Sequence, residues 1–388
     1  SISLPRRRSR VRIPSSAPLN ILTAASEGVA VFPAMHGGRM NVLYITSLLG
    51  GDGKTAFCAG LSYLMRQRGQ TTALFKPVRL GQQPTASSEP DADAAFFARL
   101  QGSPLPSGWP LELGLQEAIE GLRPANRQRI AAMLQHLSGQ ATEVIVEGPP
   151  MTSPQGETVT AAREMADATD ARAILLVRYS TKLTSEDVLA AARALGPRLL
   201  GVVINAVPRY RGHDAKATLI TPLQLAGVHV LAVLPEERRL LGVTVGQLAQ
   251  HLGGEFLAWE EKQDQLLDHL MIGGLVLDWG VHYFGQSETK AVIVRGDRPD
   301  IQMAALRTPT QCLVLTGGQR PVQYIEYEAR EEGVPVVLVQ SDTLTTVHAL
   351  ETLFDQVPAH HAQKAECFAR LLSGALAPGV LTPAQGQN

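Results

Sequence analysis

The chain has 388 residues, of which 45% are hydrophobic and 18% are charged, and its formal net charge at pH 7 is −1. This length predicts two domains, and the near-zero charge argues against a nucleic-acid partner or an anionic membrane surface. Its apolar runs are far shorter than the roughly 20 residues that span a bilayer, and its three cysteines lack disulfide or zinc-site spacing. We therefore expect a cytoplasmic protein.

Residues 1–39 differ in composition from the rest of the chain. They carry five arginines within residues 6–12 and no acidic residue before Glu27, a pattern that would suit a transit peptide or a basic arm. A strand pattern begins directly after Met40, however, and residues 11–14 can be encoded by a sequence typical of a transfer-RNA gene. We therefore predict that 1–39 is a non-native or disordered leader, translated from upstream sequence.

The next segment has the strand, glycine-rich loop and helix pattern of a phosphate-binding loop. A β-rich run over 41–47 leads into the loop residues Gly50, Gly51, Asp52, Gly53, Lys54 and Thr55. In such a loop, glycines let backbone amides surround phosphate oxygens, the lysine contacts the β- and γ-phosphates, and the threonine hydroxyl binds magnesium. Because Leu48 replaces the usual first glycine of the motif, a glycine-rich turn with a surface lysine is the alternative.

Further apolar strands, at 71–75, 143–147, 173–177, 200–205 and 228–233, alternate with helical patterns. This alternation predicts an α/β fold with a doubly wound, mostly parallel sheet, in which ligands bind beyond the carboxyl ends of the strands. Glu147 ends one strand and Asp93 begins a helix, so both are candidate magnesium ligands. Asp91 and Asp93 would alternatively cap that helix.

A second alternation of strands and helices follows the first. We predict a first domain over 40–258, a linker over 259–267, a smaller α/β domain over 268–357 and a flexible tail over 358–388. The predicted strands of the second domain are 290–294, 312–315 and 335–339, with helices around 266–271, 299–307, 322–332 and 345–355.

The first domain resembles dethiobiotin synthetase. The resemblance rests on motifs that occur in the same order and at similar spacing, namely Gly53-Lys54-Thr55, Lys76-Pro77-Val78, Asp93, Val146-Glu147-Gly148 and Val203-Ile204-Asn205. It covers roughly 40–257 and implies that Thr55, Asp93 and Glu147 hold magnesium. It also implies that Lys54 contacts the phosphates of ATP, that Asn205 reads adenine, and that Lys76 lies beside the reacting groups. Lys54 and Lys76 are thus the candidate catalytic residues, and a homo-oligomer is expected.

Two departures from that family concern the substrate rather than the nucleotide. Pro149-Pro150-Met151 replaces an Ala-Gly-Gly segment, and Arg79-Leu80-Gly81 replaces a small Ser-Gly segment. Proline has no N–H to donate to an anionic substrate. The nucleotide half of the resemblance is therefore intact, whereas the dethiobiotin half is not.

The second domain resembles the DRTGG domain over about 266–354. The matching segments are 296–302, 315–318, 333–336 and 342–346. A dethiobiotin synthetase-like domain followed by this one resembles the amino-terminal regulatory portion of long phosphotransacetylases. Gly317-Gly318 and Thr345-Thr346 would either present amides to an anionic small-molecule effector or serve as turn glycines and a helix cap.

Three functions stay open at this point. The chain is a regulatory ATPase, an ATP-dependent ligase that activates a carboxylate or carbamate, or a relic that binds nucleotide without turnover. Arg79 and Pro149-Pro150 favour the regulatory ATPase, with the ligase as the alternative. The scattered histidines, including His360 and His361, have no carboxylate or cysteine at a telling spacing, and we predict that they are not catalytic.

Overall fold

The computed structural model describes residues 41–81, 90–274, 277–354 and 357–376. The predicted leader over 1–39 and the end of the predicted tail lie outside these residues.

The first domain is built on a sheet of parallel strands that are buried on both faces. Within the described residues its strands are β1 (Asn41–Ser47), β2 (Thr72–Phe75), β3 (Val78–Gly81), β4 (Leu111–Gly114), β5 (Glu143–Pro150), β6 (Arg172–Arg178), β7 (Leu199–Val207) and β8 (Val230–Pro235). Six of them form one sheet in the order β2-β5-β1-β6-β7-β8, and every neighbouring pair is parallel. β3 and β4 form a separate parallel ladder. This confirms the predicted α/β parallel sheet.

Helices cover both faces of this sheet, as βαβ connections require. They are α1 (Lys54–Gln67), α2 (Ala92–Gln101), α3 (Leu115–Glu120), α4 (Pro124–Ser138), α5 (Thr160–Ala168), α6 (Ser185–Leu195), α7 (Gly212–Ala215) and α8 (Thr221–Leu225). Because α1 starts directly after the loop that follows the central strand β1, the loop lies at the carboxyl edge of the sheet.

The second domain has its own mixed sheet. Its strands are β9 (Val243–Thr244), β10 (Glu255–Ala258), β11 (Leu266–Leu267), β12 (His269–Ile272), β13 (Lys290–Arg295), β14 (Cys312–Thr316) and β15 (Val336–Leu338). Its helices are α9 (Val245–Leu252), α10 (Leu277–Phe284), α11 (Pro299–Leu306), α12 (Gln323–Glu331) and α13 (Thr343–Glu351). The sheet order is β10-β15-β14-β13-β12, with β10 antiparallel to β15 and the other pairs parallel, while β9 pairs with β11.

The division between the domains lies earlier than predicted. β10, which was expected to close the first domain, hydrogen-bonds to β15 in the second sheet. Likewise, Val245 and Leu248 of α9 are buried in one apolar cluster with Ala291 and Val314 of that sheet. The boundary therefore falls near residue 245 rather than 258, because α9 buries its apolar face against the later strands and β10 pairs with β15.

The predicted helix over 266–271 is wrong. These residues form β11 and β12, and β12 pairs in parallel with β13. The spacing of their leucines fits a helix as well as a strand. Residues 269–272 form a strand because they pair with β13 at the edge of the second sheet.

The predicted flexible tail is also wrong for its first part. Residues Ala362–Ala375 form α14, with Phe368 and Leu372 almost completely buried. α14 returns to the first domain and packs on α1, the helix that follows the loop. Its apolar positions have a partner that lies far away in the sequence.

Candidate functional site

The loop after β1 is held in shape by contacts that only some residue types allow. Gly51 and Gly53 have φ values of 81° and 97°, in the left-handed region that favours glycine. A Cβ on Gly53 would lie 2.9 Å from the side-chain nitrogen of Asn205. That nitrogen donates to the carbonyl of Asp52 at 2.9 Å, and the Asp52 carboxylate accepts from Leu49 N at 3.0 Å. Asn205, predicted to read adenine, thus braces the loop in this conformation.

Lys54 begins α1 and extends back along the loop. Its Nζ donates to Ser47 Oγ at 2.9 Å. Burial lowers the pKa of Lys54, and the nearby carboxylates of Glu147 and Asp52 partly oppose that shift. No side chain of the described residues caps the first turn of α1, and no acidic residue lies in it. A helix start of this kind favours an anion.

Thr55 and Glu147 meet although 92 positions separate them in the sequence. The Thr55 hydroxyl donates to Glu147 Oε1 at 3.1 Å. Glu147 is in this place because β5 runs parallel to β1 in a register that pairs it with Ile45. The next residue must be glycine, since any Cβ at 148 would overlap the buried ring of Tyr44.

The second carboxylate oxygen of Glu147 gives a test of whether magnesium fits. Glu147 is 4% exposed, and its Oε2 is buried without a hydrogen-bond partner among the described residues. Burial raises the pKa of Glu147 to about 7, although the charges of Lys76 and Lys54 act in the opposite direction. A buried oxygen without a partner is costly. A divalent cation beside Thr55 would supply that partner, so these residues fit the ion.

Lys76 and Asp93 form a second polar cluster. The Lys76 ammonium lies 3.1 Å from Asp91 and also donates to Asp93. Burial alone would lower the pKa of Lys76, but the carboxylates of Glu147, Asp93 and Asp91 raise it overall. Asp91 in addition accepts from Ala94 N at 2.9 Å and caps α2, as the alternative interpretation expected.

Electrostatic interactions join the two clusters. The charges of Lys76, Asp93 and Lys54 all act on the Glu147 carboxylate, so these four side chains lie near one another at the carboxyl edge of the sheet. Among the described residues, no group of three or more His, Cys, Asp or Glu side chains is arranged to hold a metal. Magnesium at a nucleotide needs only one or two protein carboxylates.

His360 also contacts this region, although no motif in the sequence indicated that it would. Its Nε2 lies 2.7 Å from Asp93 Oδ1 across a separation of 267 residues, and its ring packs against Phe96. The residue lies in the segment predicted to be flexible. A pattern within the segment could not have found it, because its partner comes from the other domain.

The backbone amides suggested for an effector in the second domain are already used. Gly317 N donates to Ser341 O at 2.8 Å and Gly318 N to Val339 O at 3.0 Å. Thr345 N donates to the Asp342 carboxylate at 2.8 Å, while Thr346 N donates to Asp342 O at 3.0 Å. In this conformation the glycines lie in a turn, and the two threonines lie in the first turn of α13, which Asp342 caps.

A cavity of about 570 Å³ lies beside the loop. Its lining includes Leu49 and Asp52 from the loop, Met151 after β5, the cationic Arg178 at the end of β6 and the cationic Lys182 after it. The size falls within the range of small-molecule sites.

Comparison with known proteins agrees with this geometry. The family described as AAA domain matches residues 41–244, more than half of the chain. The chain belongs to this family. In addition, the family described as DRTGG domain matches residues 247–353, so this AAA-domain protein carries a DRTGG domain after its P-loop domain. The two matched intervals meet near residue 245, where the structure divides the two sheets.

Two curated relatives show what the AAA-domain protein is similar to. It is 30% identical over 204 residues to the ATP-dependent dethiobiotin synthetase BioD of Mycobacterium avium, covering 50% of this chain and 87% of that one. It is 24% identical over 361 residues to a phosphate acetyltransferase of Haemophilus influenzae, covering 83% of this chain and 50% of that one. The chain thus spans about half the length of the phosphate acetyltransferases it matches, through both of its domains.

Solved structures match more loosely. The cell division protein MinD of Aquifex aeolicus is 17% identical with a TM-score of 0.33, covering 52% of this chain and 84% of that one. The CBS and DRTGG domains of a Clostridium perfringens pyrophosphatase are 16% identical with a TM-score of 0.26, covering 36% and 69%. Superpositions of this quality support no functional conclusion. None of the helices within the described part of the chain combines the length and the hydropathy that a membrane span requires.

Proposed function

We propose that this AAA-domain protein binds magnesium-ATP at its phosphate loop and acts as a regulatory ATPase. The observation that carries the proposal is the hydrogen bond between Thr55 and Glu147, which sets a loop hydroxyl against a buried carboxylate that has one oxygen without a partner. Lys54 directly precedes Thr55 and is the first residue of α1.

Each residue of the site has a part in this proposal. Thr55, Glu147 and Asp93 would hold magnesium, which neutralises charge on the phosphates when bound. Lys54 would contact the phosphates as a point charge, and the loop glycines would let the backbone approach them closely. Lys76 would stabilise negative charge that develops during phosphoryl transfer.

Two observations favour a regulatory role over a synthetic one. The similarity to phosphate acetyltransferases extends through the P-loop and DRTGG domains together. In addition, Pro149 and Pro150 at the end of β5 have no N–H to offer an anionic substrate. An effector of the second domain would need groups other than the amides of Gly317 and Gly318, which are already bonded.

Calorimetric titration with ATP in excess magnesium tests the proposal. We expect Lys54→Ala to weaken binding by about ten- to a hundredfold, because a charge-assisted phosphate contact contributes roughly 1.5–3 kcal/mol. Lys216→Ala, at an exposed lysine outside the site, is the matched control. If Lys54→Ala binds as tightly as the parent chain, the phosphate-loop assignment is wrong.

The cavity beside the loop favours a second candidate, an ATP-dependent ligase. Arg178 and Lys182 would place two cations near a carboxylate substrate. The two functions differ in what triggers ADP release. A slow, magnesium-dependent hydrolysis of ATP without any substrate supports the regulatory role, whereas ADP release only after a carboxylate or diamine is supplied supports the ligase.

The homo-oligomer implied by the resemblance to dethiobiotin synthetase is proposed on that ground alone. A light-scattering mass equal to that of the monomer would contradict it.

A further inference from the structure

The carboxy-terminal strap, residues 357–376, is fixed to the P-loop domain by close packing. A Cβ on Gly60 of α1 would lie 2.7 Å from Phe368 Cβ and 3.1 Å from Ala369 N, so glycine at 60 permits the two helices to approach. The ring of Phe368 meets Phe57 edge to face, with centroids 5.9 Å apart. The strap therefore contacts the helix whose first residue is Lys54.

Two hydrogen bonds fix the turn that leads into α14. Lys364 is 2% exposed, and its Nζ donates to the carbonyl of Pro358 at 2.8 Å. His361 Nε2 lies 2.9 Å from the carbonyl of Asp264. These contacts hold His360, which lies between them, in a defined place.

His360 meets Asp93 with a definite donor and acceptor. The Asp93 carboxylate is paired with the Lys76 ammonium, and an ionised carboxylate only accepts hydrogen bonds. His360 Nε2 therefore donates to Oδ1 at 2.7 Å. The other oxygen, Oδ2, accepts from Lys76. Asp93 is thereby held at both oxygens.

We propose that His360 is a positioning residue for the nucleotide site: it fixes the Asp93 carboxylate in the orientation that magnesium-ATP requires. The inference rests on the proposed function. Hydrogen bonds to a ligating carboxylate orient it, and their loss typically lowers metal affinity by about 10- to 100-fold. A carboxylate that accepts one hydrogen bond at each oxygen keeps further lone pairs for an ion or its water. The strap follows the second domain in the sequence. His360 therefore reaches the nucleotide site of the first domain from a segment that comes after the second domain.

The test measures the gain in ATP affinity that magnesium confers. Calorimetry on the full chain gives the dissociation constant of ATP in excess magnesium and again in a chelator, and their ratio is the magnesium gain. His360→Ala should reduce this gain by about 10- to 100-fold and leave the affinity in chelator unchanged. His360→Gln should retain it, since its amide can donate from the position of Nε2. His348→Ala, at an exposed histidine of α13 that lies outside the strap and the P-loop domain, is the control.

Each outcome decides a different question. If the parent chain binds no ATP, the proposed function fails and this inference falls with it. If the parent shows a magnesium gain and His360→Ala shows the same gain, the positioning role alone is overturned. Equal loss in magnesium and in chelator, for both His360 variants, would also overturn it, because that pattern shows only structural damage.

Discussion

Burial destabilises the ionised form of Glu147 more than the neighbouring Lys76, Lys54 and Thr55 stabilise it. Its pKa in the folded chain is about 7, raised from 4.5 by burial. Between these two values the folded state retains a proton that the unfolded chain has released, so the free energy of unfolding falls as the pH rises through that window. The shift corresponds to roughly 3 kcal/mol.

Glu147→Gln should therefore stabilise the metal-free protein at pH 8 and have little effect at pH 5. Urea unfolding at both pH values, in the presence of a chelator, measures the difference. Glu157→Gln, at an exposed glutamate in the loop after β5, should show no such trend. The free energies of unfolding of Glu147→Gln and the parent are compared at each pH. If their difference is the same at pH 5 and pH 8, burial does not destabilise the ionised form of Glu147.

The loop glycines offer a matched pair. At Gly53, φ is 97° and Asn205 stands 2.9 Å from any Cβ, whereas nothing lies within 4 Å of a Cβ on Gly50. Gly53→Ala should lower the free energy of unfolding by at least about 1–2 kcal/mol, the cost of a left-handed alanine. Gly50→Ala should remain within about 0.5 kcal/mol of the parent. Equal effects in thermal unfolding would contradict the loop conformation.

The site was predictable from the sequence where its residues follow strands. Lys54 and Thr55 follow the loop after β1, and Glu147 lies in the carboxyl-terminal half of β5. The carboxyl ends of parallel strands meet at one edge of a sheet. The motif could not assign Asn205 its contact with Asp52 O, since that contact depends on how β7 lies beside the loop. His360 was out of reach for a similar reason, because nothing local to it indicates that α14 returns to α1.

At the scale of elements, the contact between α1 and α14 depends on one small residue. Gly60→Ala would place a methyl group against Phe368 Cβ and the backbone of Ala369. We expect it to destabilise the protein by about 1–3 kcal/mol, the usual cost of overpacking. The same substitution at Gly374 in α14 meets nothing within 4 Å and should stabilise by up to about 1 kcal/mol, as alanine does over glycine in a helix.

Thermal unfolding of the two variants beside the parent compares these outcomes. If Gly60→Ala is as stable as Gly374→Ala, the two helices do not approach as closely as the structure shows. Because the substitutions are chemically identical, helix propensity alone cannot produce opposite signs.

Two of the elements that the sequence misassigned, β10 and α14, have partners that lie far away in the chain. The strands β5, β6 and β7 are continuous apolar runs, and local pattern suffices for them. β10 is a short strand whose place in the second sheet is settled by β15, about 80 positions later. The amphipathic face of α14 is recognisable, but a preceding proline-containing turn favoured a frayed tail over a returning helix.

At the scale of the whole molecule, the chain passes from the P-loop domain to the DRTGG domain and back again. The strap follows the DRTGG domain in sequence, but its helix α14 packs against α1 of the P-loop domain. His361 joins it to the carbonyl of Asp264 in the DRTGG domain, and Arg239 lies 3.4 Å from Gln363. Residues 40–377 accordingly form one compact unit. Such interleaving should make the two domains unfold together.

We therefore predict a single calorimetric transition for the parent protein, with equal calorimetric and van't Hoff enthalpies. Magnesium-ATP should raise the midpoint of the entire transition, since a ligand at 100 times its Kd stabilises by about 2.7 kcal/mol. Gly60→Leu, which forces the strap away from α1, should divide the transition into two, and the nucleotide should then shift only one of them.

The transition that does not move should be that of the DRTGG domain. Leu313→Ala in β14 tests this assignment, because the Leu313 side chain is fully buried. It should lower the midpoint of that transition alone, since a buried leucine contributes about 2–5 kcal/mol. Two separate transitions in the parent, with only one sensitive to nucleotide, would show that the strap does not couple the domains.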